Sequence, residues 1–299
     1  MDITQEYSKE VKEQIYKAFD HHLSPTTKSK YALVLSNWIS YTKSSLHDLI
    51  YNMRESIETL KAEESIKHTP SNHHIHLSAV VAFIKYVIRD PTLETQWKEE
   101  EKENWQPIAE RYDRNEPSEL QKDKMMPFED IQEVRENLPS GSFERLLLSF
   151  YTLIEPIRAD YFCTELIENN DESKEENYIN LTTKKMYIRD FKTKNKYTQI
   201  ENVLSDELVN ELETSLKRFP RRYLFVTEDR TSPFQTRKLF SNWACRTATR
   251  VLKHPMTLTA LRHIYITEKM REGTTPEKMI EIAKRMGHSR AMQRVYEWS

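Results

Sequence analysis

Three glycines in 299 residues, Gly141, Gly273 and Gly287, narrow what this chain can fold into. Glycine lets a backbone bend tightly and approach a ligand closely. A Walker loop and a GxGxxG fingerprint each need several glycines close together. Neither can be assembled from three scattered ones, so both of these phosphate-binding devices are excluded. The chain is otherwise polar but foldable, with 31% charged and 37% apolar residues. An aromatic fraction of 10% argues against global disorder, because disordered chains lack the apolar groups that offset ordering entropy. At roughly 150 residues per domain, the length suggests two domains.

Two cysteines, Cys163 and Cys245, cannot build a disulfide framework or a cysteine-rich zinc site. A reducing, intracellular setting is expected. No apolar run approaches the roughly 18 residues of a membrane span, and the opening MDITQEYSKE lacks a signal-peptide pattern. No membrane association is therefore expected. The net charge of -2 argues at first against a nucleic-acid partner. Residues 177–299, however, hold 24 Lys and Arg against 13 Asp and Glu, a net of +11, which leaves -13 for residues 1–176. A basic patch binds phosphate by releasing counterions whatever the global sum. A solvated lysine-rich surface is the bland account of the same numbers, so charge alone decides nothing.

The first hundred residues read as helical. Ser24-Pro25 and Thr69-Pro70 are helix starts, a capping hydroxyl followed by a proline that fits the first turn. Tyr31, Leu35, Trp38 and Ile39 share one helical face, as do Leu77, Val80, Phe83, Ile84, Val87 and Ile88. Asp90-Pro91 is expected to end the second of these helices. Residues 98–123 are acidic and weakly apolar, with Pro107 and Pro117, and read as an interdomain linker. Beyond Phe128, the run Leu146–Leu148, Phe150 and Leu153 reads as a buried helix. Short runs rich in β-branched and aromatic residues over 178–203 predict a small antiparallel sheet of three strands. Helical patterns then continue to the last few residues. His73, His74 and His76 look metal-like, but no nearby Cys or carboxylate completes a tetrahedral set. Polar residues on a DNA-facing or solvent-facing helix are the better account of them.

In the last third stand TALRHIYIT, RMGHS and RVYEWS, and earlier stand TLIEPIRADYF and DFKTKNKY. The ordered set Arg158, Lys192, Arg262-His263, Gly287-His288 and Tyr296 resembles the tyrosine recombinase (phage integrase) family. LSPTTKSKYALVLSNWISY is similar to the opening of that family's core-binding domain, and TPSNHHIHLSAVVAFIKYV to a later helix of it. Each motif is weak alone; the order over nearly the whole chain carries the resemblance. The implied fold is mainly α with a small antiparallel β-sheet. An all-helical, SAM-like core-binding domain would occupy 1–97, the acidic linker 98–123, and an α+β catalytic domain 124–299. The form PIRADY further resembles integrases of viruses or virophages of eukaryotes.

The resemblance implies roles. Arg158 and Arg262 would clamp the phosphate, since guanidinium forks match its geometry. Tyr296 would attack as nucleophile, its oxygen needing neighbouring cations because a phenol has a pKa near 10. Lys192 would protonate the leaving 5′ hydroxyl, with Lys194 and Lys196 as competitors on the same turn. His288 would hydrogen-bond the phosphate or Tyr296, while His263 and Asp160 would support the residues that touch DNA. No cofactor or metal is implied. Expected partners are double-stranded DNA, held in a two-domain clamp, and three further copies of the chain in a homo-tetramer on synapsed DNA.

Two departures from the family pattern stand out. Thr259 occupies the place of the family's first histidine, and threonine cannot serve as a general base near neutral pH. Only three residues follow Tyr296, where many members carry a further helix that docks on a neighbouring subunit. Two alternatives therefore stay open: a recombinase-derived DNA-binding protein with little catalysis, and a type IB topoisomerase-like nicking-closing enzyme.

Overall fold

The structure, a computed structural model, describes residues 3–63, 69–168, 175–191, 194, 198–229, 231–290 and 293. The chain divides into two compact units, Met1–Tyr112 and Asp113–Ser299. Among the described residues no helix is long and apolar enough to cross a membrane.

The first unit is all helical: α1 (Ile3–Ala18), α2 (Pro25–Thr42), α3 (Leu46–Tyr51), α4 (Met53–Ala62), α5 (Pro70–Phe83) and α6 (Pro91–Asp113). One device starts three of them. Ser24 Oγ accepts from the Thr27 N–H ahead of Pro25, and Thr69 Oγ1 accepts from the Asn72 N–H ahead of Pro70, both at 3.2 Å. Asp90 Oδ1 accepts from Thr92 and Leu93 N–H at 2.9 and 3.0 Å across Pro91. Each oxygen satisfies backbone donors that no helical carbonyl can reach. Asp90-Pro91 thus opens α6. The chain before it winds into a π-helical turn over Ile84–Ile88 and stops at Arg89, whose φ is 61°.

The apolar faces read from the sequence meet in one core. Phe19, Leu35, Trp38, Leu49, Val80, Ile84 and Trp97 are buried there. Trp38 and Trp97 pack edge to face at 6.3 Å, and Trp97 Nε1 donates to Ile50 O at 3.0 Å. Residues 98–113, expected within a linker, continue α6 and bury Ile108.

The second unit holds α7 (Glu119–Lys122), α8 (Phe128–Asn137), α9 (Phe143–Thr152), strands β1 (Glu165–Ile167), β2 (Tyr178–Asn180), β3 (Lys185–Ile188) and β4 (Ile200–Val203), then α10 (Asp206–Arg218), α11 (Arg237–Leu252), α12 (Leu258–Arg271) and α13 (Pro276–Arg285). Helix α9 is buried on every side from Leu146 to Thr152 and packs against α8, α10, α11 and α12.

The sheet order is β1-β2-β3-β4. It corrects the antiparallel expectation: β2-β3 and β3-β4 are antiparallel, but β1 joins β2 in parallel, Leu166 opposite Ile179. The cause lies in the backbone. Glu165 N–H donates to Asn177 O at 2.9 Å and Leu181 N–H to Ile167 O at 2.8 Å, while the other side of β1 is held by Leu166 N–H to Arg222 O at 2.8 Å. Three residues with both edges occupied make a strand without any alternating pattern.

All three glycines have positive φ, near 71–73°. Positive φ also falls on Asp20, Lys43, Arg89, Asn115, Lys184 and Lys253. Lys43 and Lys253 end α2 and α11 in the left-handed conformation usually left to glycine.

Candidate active site

Arg158 lies in the turn between α9 and β1. Buried polar side chains hold that turn. Tyr151 Oη donates to Arg158 O at 2.9 Å, and Tyr161 Oη donates to Phe150 O at 3.2 Å. Both tyrosines are fully buried, and burial raises both phenol pKa values, so they stay protonated donors. Asp160, 4% exposed, accepts from Arg237 Nε at 2.6 Å. Burial raises its carboxyl pKa; the bond and charge of Arg237, then the charges of Arg158 and Arg262, act against that rise.

Arg262 sits one turn into α12, behind the Thr257 cap that accepts from the Ala260 N–H. Its side chain is fully buried. One guanidinium nitrogen, Nη1, donates to Pro156 O, in the turn that carries Arg158. The other, Nη2, lies 2.8 Å from His288 Nδ1.

His288 follows Gly287 just beyond α13. Gly287 has φ +71°, and a Cβ there would stand 2.6 Å from Ile200 Cδ1 on β4. A side chain here would strain the left-handed backbone and push that methyl aside, so glycine suits the turn that brings His288 inward, where it is 3% exposed.

The contact between Arg262 and His288 fixes a proton. A guanidinium has donors only. His288 Nδ1 must therefore accept, and the proton of the neutral ring resides on Nε2. Burial, then the charges of Arg262 and Arg158, push the His288 pKa down to about 3. Arg158 is thus within electrostatic reach of the same imidazole. The three residues form one positively charged centre with a neutral N–H donor. Fixed cations and a fixed donor of this kind can stabilise charge developing on phosphate oxygens.

Thr259 is exposed in the first turn of α12, three residues before Arg262 and on the same face. His263 is buried within α12 at 4% exposure. Lys192, Lys196 and Tyr296 lie outside the described residues. Lys194 Nζ is 3.4 Å from Asp190 Oδ1 at the surface.

The sequence marks neither Asn177 nor Arg237. Arg237 pairs with Asp160 and, at 2.9 Å, with Asp190. Nothing in an asparagine before a strand, or an arginine at a helix start, marks such a role; the partners come from distant segments. Among the described residues no group of three or more His, Cys, Asp or Glu could hold a metal ion. His76, expected on an exposed face, is buried: its Nδ1 donates to Asn72 O at 2.8 Å and its ring packs on Trp38, while the His74 ring centre lies 4.6 Å from that of Trp105.

No protein-family model and no curated protein matches the chain. Among solved structures the chain is similar to the XerA recombinase, at 17% identity over 98% of this chain and 93% of that one, with a TM-score of 0.44. It is also similar to the integrase from mycobacterium phage Brujita, at 14% identity over 96% and 90% of the two chains, with a TM-score of 0.37.

Proposed function

We propose that this protein is a tyrosine recombinase that cuts and rejoins double-stranded DNA, acting as the integrase of a mobile or viral genome. The observation that carries the reading is the pairing of Arg262 with His288 beside Arg158. Three residues from separate motifs that resemble one family's, in that family's order, meet around one imidazole.

The chemistry follows from the groups. Tyr296 Oη attacks the scissile phosphorus and the bond to the 5′ oxygen breaks, leaving a 3′-phosphotyrosyl ester and a 5′ hydroxyl. Arg158, which is half-buried, and Arg262, which is fully buried, stabilise the charge on the non-bridging oxygens. His288 Nε2–H donates to one of those oxygens. Its Nδ1 is engaged by Arg262 and its Nε2 already carries a proton, so His288 does not take the Tyr296 proton. Thr259 is no base either, so water or a neighbouring group receives that proton. Lys192 supplies a proton to the leaving 5′ oxygen, with Lys194 and Lys196 the competing donors. Attack by a 5′ hydroxyl on the phosphotyrosine reverses the step, and the conserved ester energy makes ATP unnecessary. Asp160 and His263 support the centre from behind. Four protomers on synapsed DNA, at an intracellular location, complete the reading.

The test is covalent capture from a pool of nicked duplexes of randomised sequence. An adduct that survives denaturation, with a recurring sequence among the captured strands, is expected from the wild type and from no Tyr296→Phe preparation. The absence of any adduct sinks the reading and favours a recombinase-derived DNA-binding protein. Adducts without a recurring sequence, together with relaxation of supercoiled plasmid, point to a topoisomerase.

A further inference from the structure

We infer that Asn177 is a positioning residue that holds the Arg158 turn in its working place; the inference rests on the recombinase reading. Asn177 is fully buried and lies just before β2. Its carboxamide uses both ends. Nδ2 donates to Asp160 O at 2.8 Å and to Asp190 O at 3.1 Å. Oδ1 accepts from Arg189 N–H and Asp190 N–H, each at 2.8 Å. Its own carbonyl accepts from the Glu165 N–H at 2.9 Å. The side chain therefore joins the turn of Arg158 to the end of β3, and the main chain of the same residue ties both to β1.

The arrangement is closed by charge. Arg237 spans Asp160 and Asp190, the same two residues whose carbonyls Asn177 binds. Arg237 is partly exposed, so solvent weakens its contribution. Asn177 has no such competition. Removing its amide would leave two carbonyls and two N–H groups of the turn and strand without these partners, in a buried place. The turn would then relax, and with it Arg158. The centre depends on this placement, because displacement by about 1 Å can slow a reaction by about 100-fold.

A structural role alone would lower stability without acting through Arg158, so the test is a double-mutant cycle on adduct formation. Wild type, Asn177→Ala, Arg158→Lys and the double variant are compared at saturating protein on a duplex recovered by the covalent capture described above. Asn177→Ala is expected to slow adduct formation about 10- to 100-fold in the wild-type background. In the Arg158→Lys background the same change is expected to cost less than about threefold, because the geometry it protects is already lost. Non-covalent affinity for that duplex is expected to change by less than about twofold. Equal costs in both backgrounds overturn the inference and leave the recombinase reading intact. No adduct from the wild type overturns both. If Asn177→Ala does not fold, Asn177→Asp, which keeps the acceptor for Arg189 and Asp190, enters the same cycle with the same two outcomes.

Discussion

A single hydrogen bond, from Arg262 Nη2 to His288 Nδ1 at 2.8 Å, decides most of what the centre can do. It makes His288 a fixed donor through Nε2 and denies it the part of a base. It also ties stability to pH. The folded imidazole stays neutral down to about pH 3, whereas an unfolded histidine takes up a proton near pH 6.5. Between those values the unfolded chain binds more protons. The contribution of His288 is therefore complete above about pH 6.5 and is lost as pH falls through the window toward 3. Thermal unfolding of the wild type and of His288→Gln, followed from about pH 7 to about pH 4, should show a shallower decline in the variant. Parallel curves would mean that His288 titrates in the fold as it does in the unfolded chain. Arg158, Arg262 and His288, which the structure brings together, are legible in the sequence as members of short motifs, whereas Lys192 and Tyr296 lie outside the described residues. The supports of the first three are not legible. The role of Asn177 depends on Asp160 and Asp190 meeting it across the fold, and no local pattern encodes that meeting.

Among the elements, the passage from α13 to His288 is the most constrained. Gly287→Ala adds a Cβ in a left-handed backbone and against Ile200 Cδ1. The backbone part costs about 1–2 kcal/mol, and the steric part falls on the far end of a flexible side chain. The variant should unfold at lower temperature, and adding Ile200→Val should restore only part of the loss. Full restoration would show that the clash, and not the backbone, is the constraint. Helices were legible wherever a capping oxygen precedes proline, as at Ser24-Pro25 and Thr69-Pro70. Asp90-Pro91 carries the same signal, yet a proline-preceding residue also ends helices, and the sequence does not say which applies. The π-helical turn before it leaves no trace in residue type. Strand β1 stayed hidden because Glu165-Leu166-Ile167 is too short to show a period, and its parallel pairing is set by partners outside it.

For the molecule as a whole, charge separates along the chain: +11 over residues 177–299 and -13 before them. DNA affinity should accordingly fall by about tenfold or more as salt rises from about 50 to about 200 mM. Binding that is flat in salt would show that the basic excess does not touch phosphate. Each unit also buries its own aromatic and aliphatic core, so the division at Tyr112 and Asp113 is one of packing and not only of composition. The lysines that close α2 and α11 have a separate meaning. Lys43, Lys184 and Lys253 are exposed, hold positive φ, and occupy places where glycine would sit without steric cost. Each of these residues therefore carries a left-handed strain of about 1–2 kcal/mol that a glycine would relieve. Directed evolution for heat tolerance should find its first accessible gains at such helix and hairpin ends, leaving the charged centre untouched.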